Sequence, residues 1–348
     1  MIKIKPFIVL GVILFAITLL IPSILVLPFM EEKVSGKLGE NVQEETVQPK
    51  KSSAPESEPA VEVAVYREAQ KKVEKLALDD YVAGVVASEM PADFEIEALK
   101  AQALTARTYI VKKLATTSDS AKKNIPNEAV VGDSINYQVY KSNNELKKIW
   151  KASDYEWKMK KIKEAVKATS GQILTYDGTP IDATFFSTSN GYTENSSAVW
   201  NNPIPYLTAV ASPWDKKSPK YSGKKVITVA EFEQKLGISL SSSKEVGEIT
   251  KRTEGKRVAK VNINGKVLTG IDIRTKLDLK STDFTWVRKG NDIIITTEGY
   301  GHGVGMSQYG ANGMAAEGKS YEEIVKYYYK GVQLSKADNL LAKYTAQK

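Results

Sequence analysis

The chain opens on an unbroken apolar run. From Pro6 to Met30 no residue is charged, and Phe7 to Ile21 is nearly all Leu, Ile, Val, Phe and Ala. At about 1.5 Å per residue such a helix reaches roughly 37 Å, enough to cross a hydrocarbon core of about 30 Å. A cleaved leader would have a shorter apolar core ending in small residues, and Leu25, Val26, Leu27 and Pro28 offer no such site. Residues 1–30 are therefore expected to be a cytoplasmic tip, marked by Lys3 and Lys5, and an uncleaved signal-anchor whose helix spans the membrane. Residues 31–62 hold eight Glu and four Lys among Ser and Pro with no apolar period, the pattern of a disordered acidic linker.

Beyond it the periods change in sequence. Tyr81, Val82, Val85 and Val86 recur at helical spacing after Asp79 or Asp80 as a cap, and Pro91 stops that helix just past Glu89. Ile96, Leu99, Ala103, Ala106, Ile110 and Leu114 form one stripe of a second helix beginning near Asp93, with Lys100 and Arg107 seven apart on its other face. Residues 116–145 read as polar loop, broken by Val130, Val131 and the run Tyr137 to Tyr140. A charged helix over Trp157 to Thr169 precedes a period of two, with Ile173 to Tyr176 and Ile181 to Ser187 joined through Asp177-Gly178. Strands are expected at Val258 to Ile263 and Lys266 to Ile273 around Asn264-Gly265, inside a Ser- and Lys-rich insertion of about 215–288. A strand at Ile293 to Thr297, glycines at 299, 301, 303 and 305, a helix from Ser307 to Gly318 and a capping box at Ser320 and Glu323 complete the chain. The fold class is α+β, with helices on a mostly antiparallel sheet in a 63–348 ectodomain and the strand-rich insertion as a second lobe across a groove.

Composition narrows the chemistry. There is no Cys and one His in 348 residues, which excludes disulfides, thiolate zinc sites, cysteine nucleophiles and multi-histidine metal centres. With 49 Lys and Arg against 41 Asp and Glu the net charge is +8, and the acidic linker leaves the ectodomain more basic still. A basic domain outside a membrane suits a polyanionic partner in the wall or lipid surface rather than nucleic acid. Gly313 to Ser320 matches the phosphate-loop spacing, but its inner residues are helix formers with no strand before them, so nucleotide binding is not expected.

Three runs could carry chemistry. Glu89 stands in apolar company at a helix C-terminus, where desolvation and the helix dipole both disfavour its ionised form and keep it available as a general acid. His302 sits among alternating glycines with Ser307 and Gln308. A hydrolase triad pairing it with Ser187, Ser189 or Ser307 is conceivable, though no Gly-x-Ser-x-Gly elbow is present. The run Ser187 to Glu194, with Ser189, Thr193 and Glu194, combines hydroxyls, an amide and an aromatic ring suited to a sugar.

Four ordered blocks then stand together: YVAGVVASEMPADFEIEALKAQALTARTY (Tyr81 to Tyr109), ATFFSTSNGYTE (Ala183 to Glu194), PYLTAVASPWD (Pro205 to Asp215) and GHGVGMSQYGANGMAAEGKSYEEIVKYYY (Gly301 to Tyr329). In this combination the chain resembles the stage II sporulation protein D family, whose domain is also similar to amidase enhancers. The resemblance implies a lytic transglycosylase that cuts peptidoglycan during forespore engulfment, with Glu89 as acid and base and 1,6-anhydro-muramic-acid ends as product. It implies a glycan already stripped of stem peptides, with stage II sporulation proteins P (an amidase) and M (a membrane protein) as partners, and a place between the mother-cell and forespore membranes. A stripped strand bears a free lactyl carboxylate on each muramic acid, and Lys100 and Arg107, together on one helix face just after Glu89, are expected to read that charge. The resemblance adds Gln138, Tyr140, Ser187, Ser189, Thr193, Glu194, His302, Ser307 and Gln308 as substrate-binding groove residues. Some family members carry a Cys and His zinc site, but Asp133 to Tyr140 here holds neither residue, so neither metal nor cofactor is expected. The alternative is a non-catalytic glycan-binding enhancer of a partner amidase.

Overall fold

The computed structural model describes residues 61–346 apart from 117–124, 127 and 241–244. The expected anchor and nearly all of the acidic linker lie outside the described residues. Among those described, no helix is long and apolar enough to cross a membrane.

The described chain is α+β, built on five small sheets rather than one. Strands β1 (Glu62–Arg67) and β2 (Lys72–Ala77) form a hairpin turned by Lys71 in the left-handed region. Helix α1 (Leu78–Glu89) follows directly. Asp79 and Asp80 lie inside its first turn rather than capping it, where carboxylates meet the positive end of the helix dipole. Helix α2 (Ile96–Thr116) is buried on nearly every side by α1 and by elements that arrive later in the chain.

The stretch read as loop holds two elements. β3 (Val131–Gly132) pairs parallel with β1, and α3 (Asn143–Ile149) opens on a complete capping box between Ser142 and Glu145. That Ser-x-x-Glu spacing was a readable start point. Helix α4 (Ala152–Ala168) begins five residues before the expected Trp157.

β4 (Gln172–Tyr176) and β5 (Thr179–Pro180) are joined by Asp177 and Gly178, both at positive φ, as Asp-Gly predicts. β6 (Phe185–Phe186) is much shorter than the strand expected from Ile181 to Ser187, and α5 (Ser196–Trp200) follows it.

The second lobe has its own core, drawn from Phe232, Leu236, Val261, Ile273, Phe284, Ile293 and Ile295 among others. It contains β7 (Ser222–Thr228), α6 (Val229–Leu236), β8 (Glu248–Arg252), β9 (Val258–Ile263) and β10 (Lys266–Thr269). α7 (Gly270–Lys276), β11 (Asp283–Lys289) and β12 (Asp292–Glu298) complete it. Two expectations change here. The strand from Lys266 ends at Thr269, whose hydroxyl caps α7 at the Asp272 amide 3.0 Å away. The lobe also extends past Arg288, because β12 pairs with β11 and β7 and not with the first core.

β13 (Met306–Ser307) returns to pair parallel with β6 and leads into α8 (Gln308–Ala316) and α9 (Tyr321–Tyr328). The phosphate-loop look-alike is the end of α8 and the start of α9. Gly318 at φ +85° closes α8, its amide bonding Ala315 and that of Lys319 bonding Met314, a Schellman arrangement. β14 (Gln333–Lys336) pairs with β4, and α10 (Asp338–Ala346) packs on α2.

Candidate active site

Pro91 prevents α1 from continuing, so Met90 turns extended and Glu89 is left on the last helical turn. Among the described residues its carboxylate accepts one bond, from the Val139 amide at 3.0 Å. Burial pushes the Glu89 pKa above the ordinary glutamate value, against that bond and the charge of Lys141, which lower it.

The Val139 amide is delivered by a braced loop. Asp133 at its start accepts from the Arg67 Nε at 2.9 Å and from the Glu68 amide at 3.1 Å, and Arg67 also binds Glu74 and Glu145 while itself 1% exposed. At the far end of the loop the Tyr140 ring stacks on Tyr81 and lies against Gly84 of α1, where any Cβ would collide with it. Gly84 is what lets this loop reach the helix end.

Glu89 lines a cavity of about 810 Å³. Gln138, Ser187, His302 and Gln308 line the same cavity, so five expected site residues come together. Gln138 is buried, and its Nε2 has no hydrogen-bond partner among the described residues. Gln308, at the start of α8, donates to Gln102 at 3.3 Å.

The other seven are placed elsewhere. Lys100 pairs with Glu97 at 2.7 Å and lies over the Tyr321 ring. Arg107 is fully buried. It bonds the carbonyls of Thr169 and Val166 at the C-terminus of α4 and Asp79 at 2.9 Å, so it ties three helices together. The expected open face of α2 is closed at Arg107 by α1 and α4, while Lys100 stays partly exposed beside Tyr321 of α9. Tyr140 belongs to the core. Ser189 and Ser307 donate to buried Asp215 at 2.7 and 2.6 Å, and Thr193 bonds backbone at Thr208 and Val210. Glu194 is a latch to the second lobe, accepting from Thr253 and from the Gly255 amide.

His302 is also fully engaged. Its Nδ1 accepts from the Val304 amide at 3.1 Å, which leaves Nε2 as the donor to the Phe185 carbonyl at 3.0 Å. Burial, joined by repulsion from Arg274 and Arg257, lowers its pKa to about 4 despite the Phe185 bond. A neutral His with both nitrogens on backbone is no partner for Ser187, Ser189 or Ser307. Its ring instead stands 5.6 Å from those of Phe186 and Trp200, and Trp200 is 44% exposed in the cavity wall.

Sequence reasoning missed Trp200, Asp182, Tyr300, Lys220 and Arg274, all of which line the cavity. A large aromatic in the polar run Asn195 to Asn202 was a usable sign for Trp200. Nothing local marked Lys220 or Arg274, which the tertiary fold brings in from the second lobe and its approach.

A family model described as Stage II sporulation protein matches residues 66–176. Stage II sporulation protein D of Bacillus subtilis (strain 168) is 54% identical over 338 residues, covering 97% of each chain. The protein of that name from Bacillus amyloliquefaciens is 53% identical over 348 residues, 99% of this chain and 100% of its own. The amidase enhancer of Bacillus subtilis is 30% identical over 309 residues, 72% of this chain but 40% of that protein. The chain belongs to the stage II sporulation protein D family. Its role is in sporulation.

Proposed function

We propose that the chain is a membrane-anchored lytic transglycosylase that cuts peptidoglycan glycan from which stem peptides have been removed, during engulfment of the forespore. The observation that carries this reading is Glu89, a carboxyl partly withdrawn from water, lining a cavity large enough for sugars and holding one donor from its own protein. Protonated, it gives its proton to the glycosidic oxygen as the bond to the anomeric carbon breaks. The C6 hydroxyl of the same muramic acid then attacks that carbon and returns a proton to Glu89. No water enters, and the product ends in a 1,6-anhydro ring. The exposed Trp200 ring offers a face for a sugar.

The anchor would be residues 1–30, with the body outside the membrane between mother cell and forespore, and stage II sporulation proteins P and M as partners. The amidase enhancer relative favours a second reading, a glycan-binding stimulator with no chemistry of its own. A two-carboxylate hydrolase would use Asp182, which lines the cavity and pairs with Lys112 at 2.6 Å.

Full-length protein with peptide-free glycan strands, read by mass spectrometry beside Glu89→Gln, separates the three. Anhydro ends, one water lighter than reducing ends and absent from the variant, are expected. Reducing ends would move the assignment to hydrolysis with Asp182. Binding without cleavage would move it to the stimulator.

A further inference from the structure

The cavity wall contributed from the second lobe and its neck differs in charge from the wall that holds Glu89. Lys220 precedes β7, Arg274 lies on α7, Lys280 follows α7, and Tyr300 stands just beyond β12. The ammonium groups of Lys220 and Lys280 both lie 5.5 Å from the centre of the Tyr300 ring. Arg274, Lys220 and Tyr300 line the cavity itself.

None of the three cations is matched. Among the described residues no carboxylate lies within ion-pair distance of Lys220, Arg274 or Lys280, whereas Lys100 and Lys112 on the first core each have one. Arg274 is the telling member. Its Nε donates to the Leu279 carbonyl at 3.3 Å, and no described acceptor bonds its two terminal nitrogens. Partial burial holds its pKa below the ordinary guanidinium value, with Tyr300 pulling the other way. A half-buried guanidinium keeps a planar pair of donors for which a carboxylate is the natural complement, and like charges gathered at one wall raise the local concentration of anions.

We infer that Arg274, with Lys220 and Lys280 around Tyr300, forms a carboxylate-binding subsite that holds the lactyl carboxylate of a muramic acid in the bound glycan and so selects strands in which that group is not amide-linked to a peptide. This rests on the glycan reading above and deepens it. An amide-linked lactyl group carries no charge and presents one carbonyl oxygen, so it loses both the charge assistance and the two-oxygen match to the fork. Selection for stripped glycan then follows from charge as well as from room.

The test uses full-length protein carrying Glu89→Gln, to avoid cleavage, and two probes: glycan strands with free lactyl carboxylates, and the same strands methyl-esterified. The parent should bind the free acid about tenfold tighter or more. Arg274→Gln combined with Lys220→Gln and Lys280→Gln should abolish that preference while leaving affinity for the ester unchanged, which also certifies the fold. Lys100→Gln removes one positive charge elsewhere and should keep the preference. Equal binding of acid and ester by the parent, or a preference that survives the triple substitution, overturns the subsite. So does a phosphodiester wall polymer that binds in place of the glycan and is lost with the same three cations. Activity separates this from the earlier reading. Wild type that cuts acid and ester strands at equal rates overturns the subsite and leaves the lyase, whereas carboxylate-dependent binding with no cleavage overturns the lyase and leaves the subsite.

Discussion

Glu89 and Asp215 both lie withdrawn from water in the first core, and burial raises both pKa values, yet their surroundings differ in the number of donors. Asp215 accepts from the Ser189 amide, the Ser189 hydroxyl, Ser212 and Ser307 at 3.0, 2.7, 2.5 and 2.6 Å. Those four bonds fill its lone pairs, and Asp215 does not line the cavity. Glu89 accepts one bond and does line it. Burial alone therefore does not mark an acid for chemistry. What matters is whether the protein leaves oxygen lone pairs, and room beside them, for something else.

Exchanging each acid for its amide is the largest test of this contrast. Glu89→Gln should lower glycan cleavage by about 10²- to 10⁴-fold with little change in unfolding temperature. Asp215→Asn should do the reverse. It places an amide where four donors converge, costs about 1–3 kcal/mol by equilibrium denaturation, and leaves Glu89 in place. Cleavage lost equally in both, at equal stability, would erase the distinction.

A smaller effect reaches Glu89 through the Val139 amide, its one donor among the described residues. Gly84→Ala should displace the Tyr140 ring, cost about 1–3 kcal/mol from overpacking, and loosen the loop that presents the Val139 amide. Because that bond lowers the Glu89 pKa, its loss should move the alkaline fall of the cleavage rate to higher pH. On the proposed mechanism the wild-type fall should itself lie above the ordinary value of 4.5, since that mechanism needs the acid form and burial favours it. A rate profile unmoved by Gly84→Ala would show that Tyr140 does not position the loop.

The smallest effect belongs to His302, which neither acid touches. Its pKa is lower folded than unfolded, so the unfolded chain binds more protons between about 4 and 6.5. The stability this contributes is complete above pH 6.5 and is lost as pH falls towards 4. Denaturation midpoints at pH 7 and pH 5 should differ less in His302→Phe than in wild type. An unchanged difference would place the titration elsewhere.

Local chemistry made part of this legible. The Asp-Gly and Asn-Gly turns, the Ser320 capping box, the Gly318 helix stop and the end of α1 at Glu89 each depend on a few adjacent residues, and all are visible in the sequence. The cations were not. A seven-residue spacing puts Lys100 and Arg107 on one face of α2 but says nothing of what covers that face, and α1 and α4 bury Arg107 while Lys100 packs on Tyr321. The serines of the Ser187 run failed for a related reason. Their hydroxyls suit a sugar and a buried Asp equally well, and Asp215 stands 26 residues from Ser189. Arg274 comes to the cavity only because the second lobe folds against the first core.

That lobe joins the chain through a narrow doorway. Ser222 and Glu298 are paired across β7 and β12, and just outside them the Gly299 amide bonds the Tyr221 carbonyl at 2.6 Å. The 77 residues from Ser222 to Glu298 thus leave and return through one pair of neighbouring strands, like an annex off the main chain, and Glu194 and Asn190 tie that annex back at Thr253, Gly255 and Asp283. Loops inside such an annex can lengthen, shorten or change charge without altering the path of the chain that carries Glu89, because closing the detour depends only weakly on its length. If the two proposals above hold, substrate preference and bond-breaking can accordingly drift apart over time, one wall being remodelled while the other is kept.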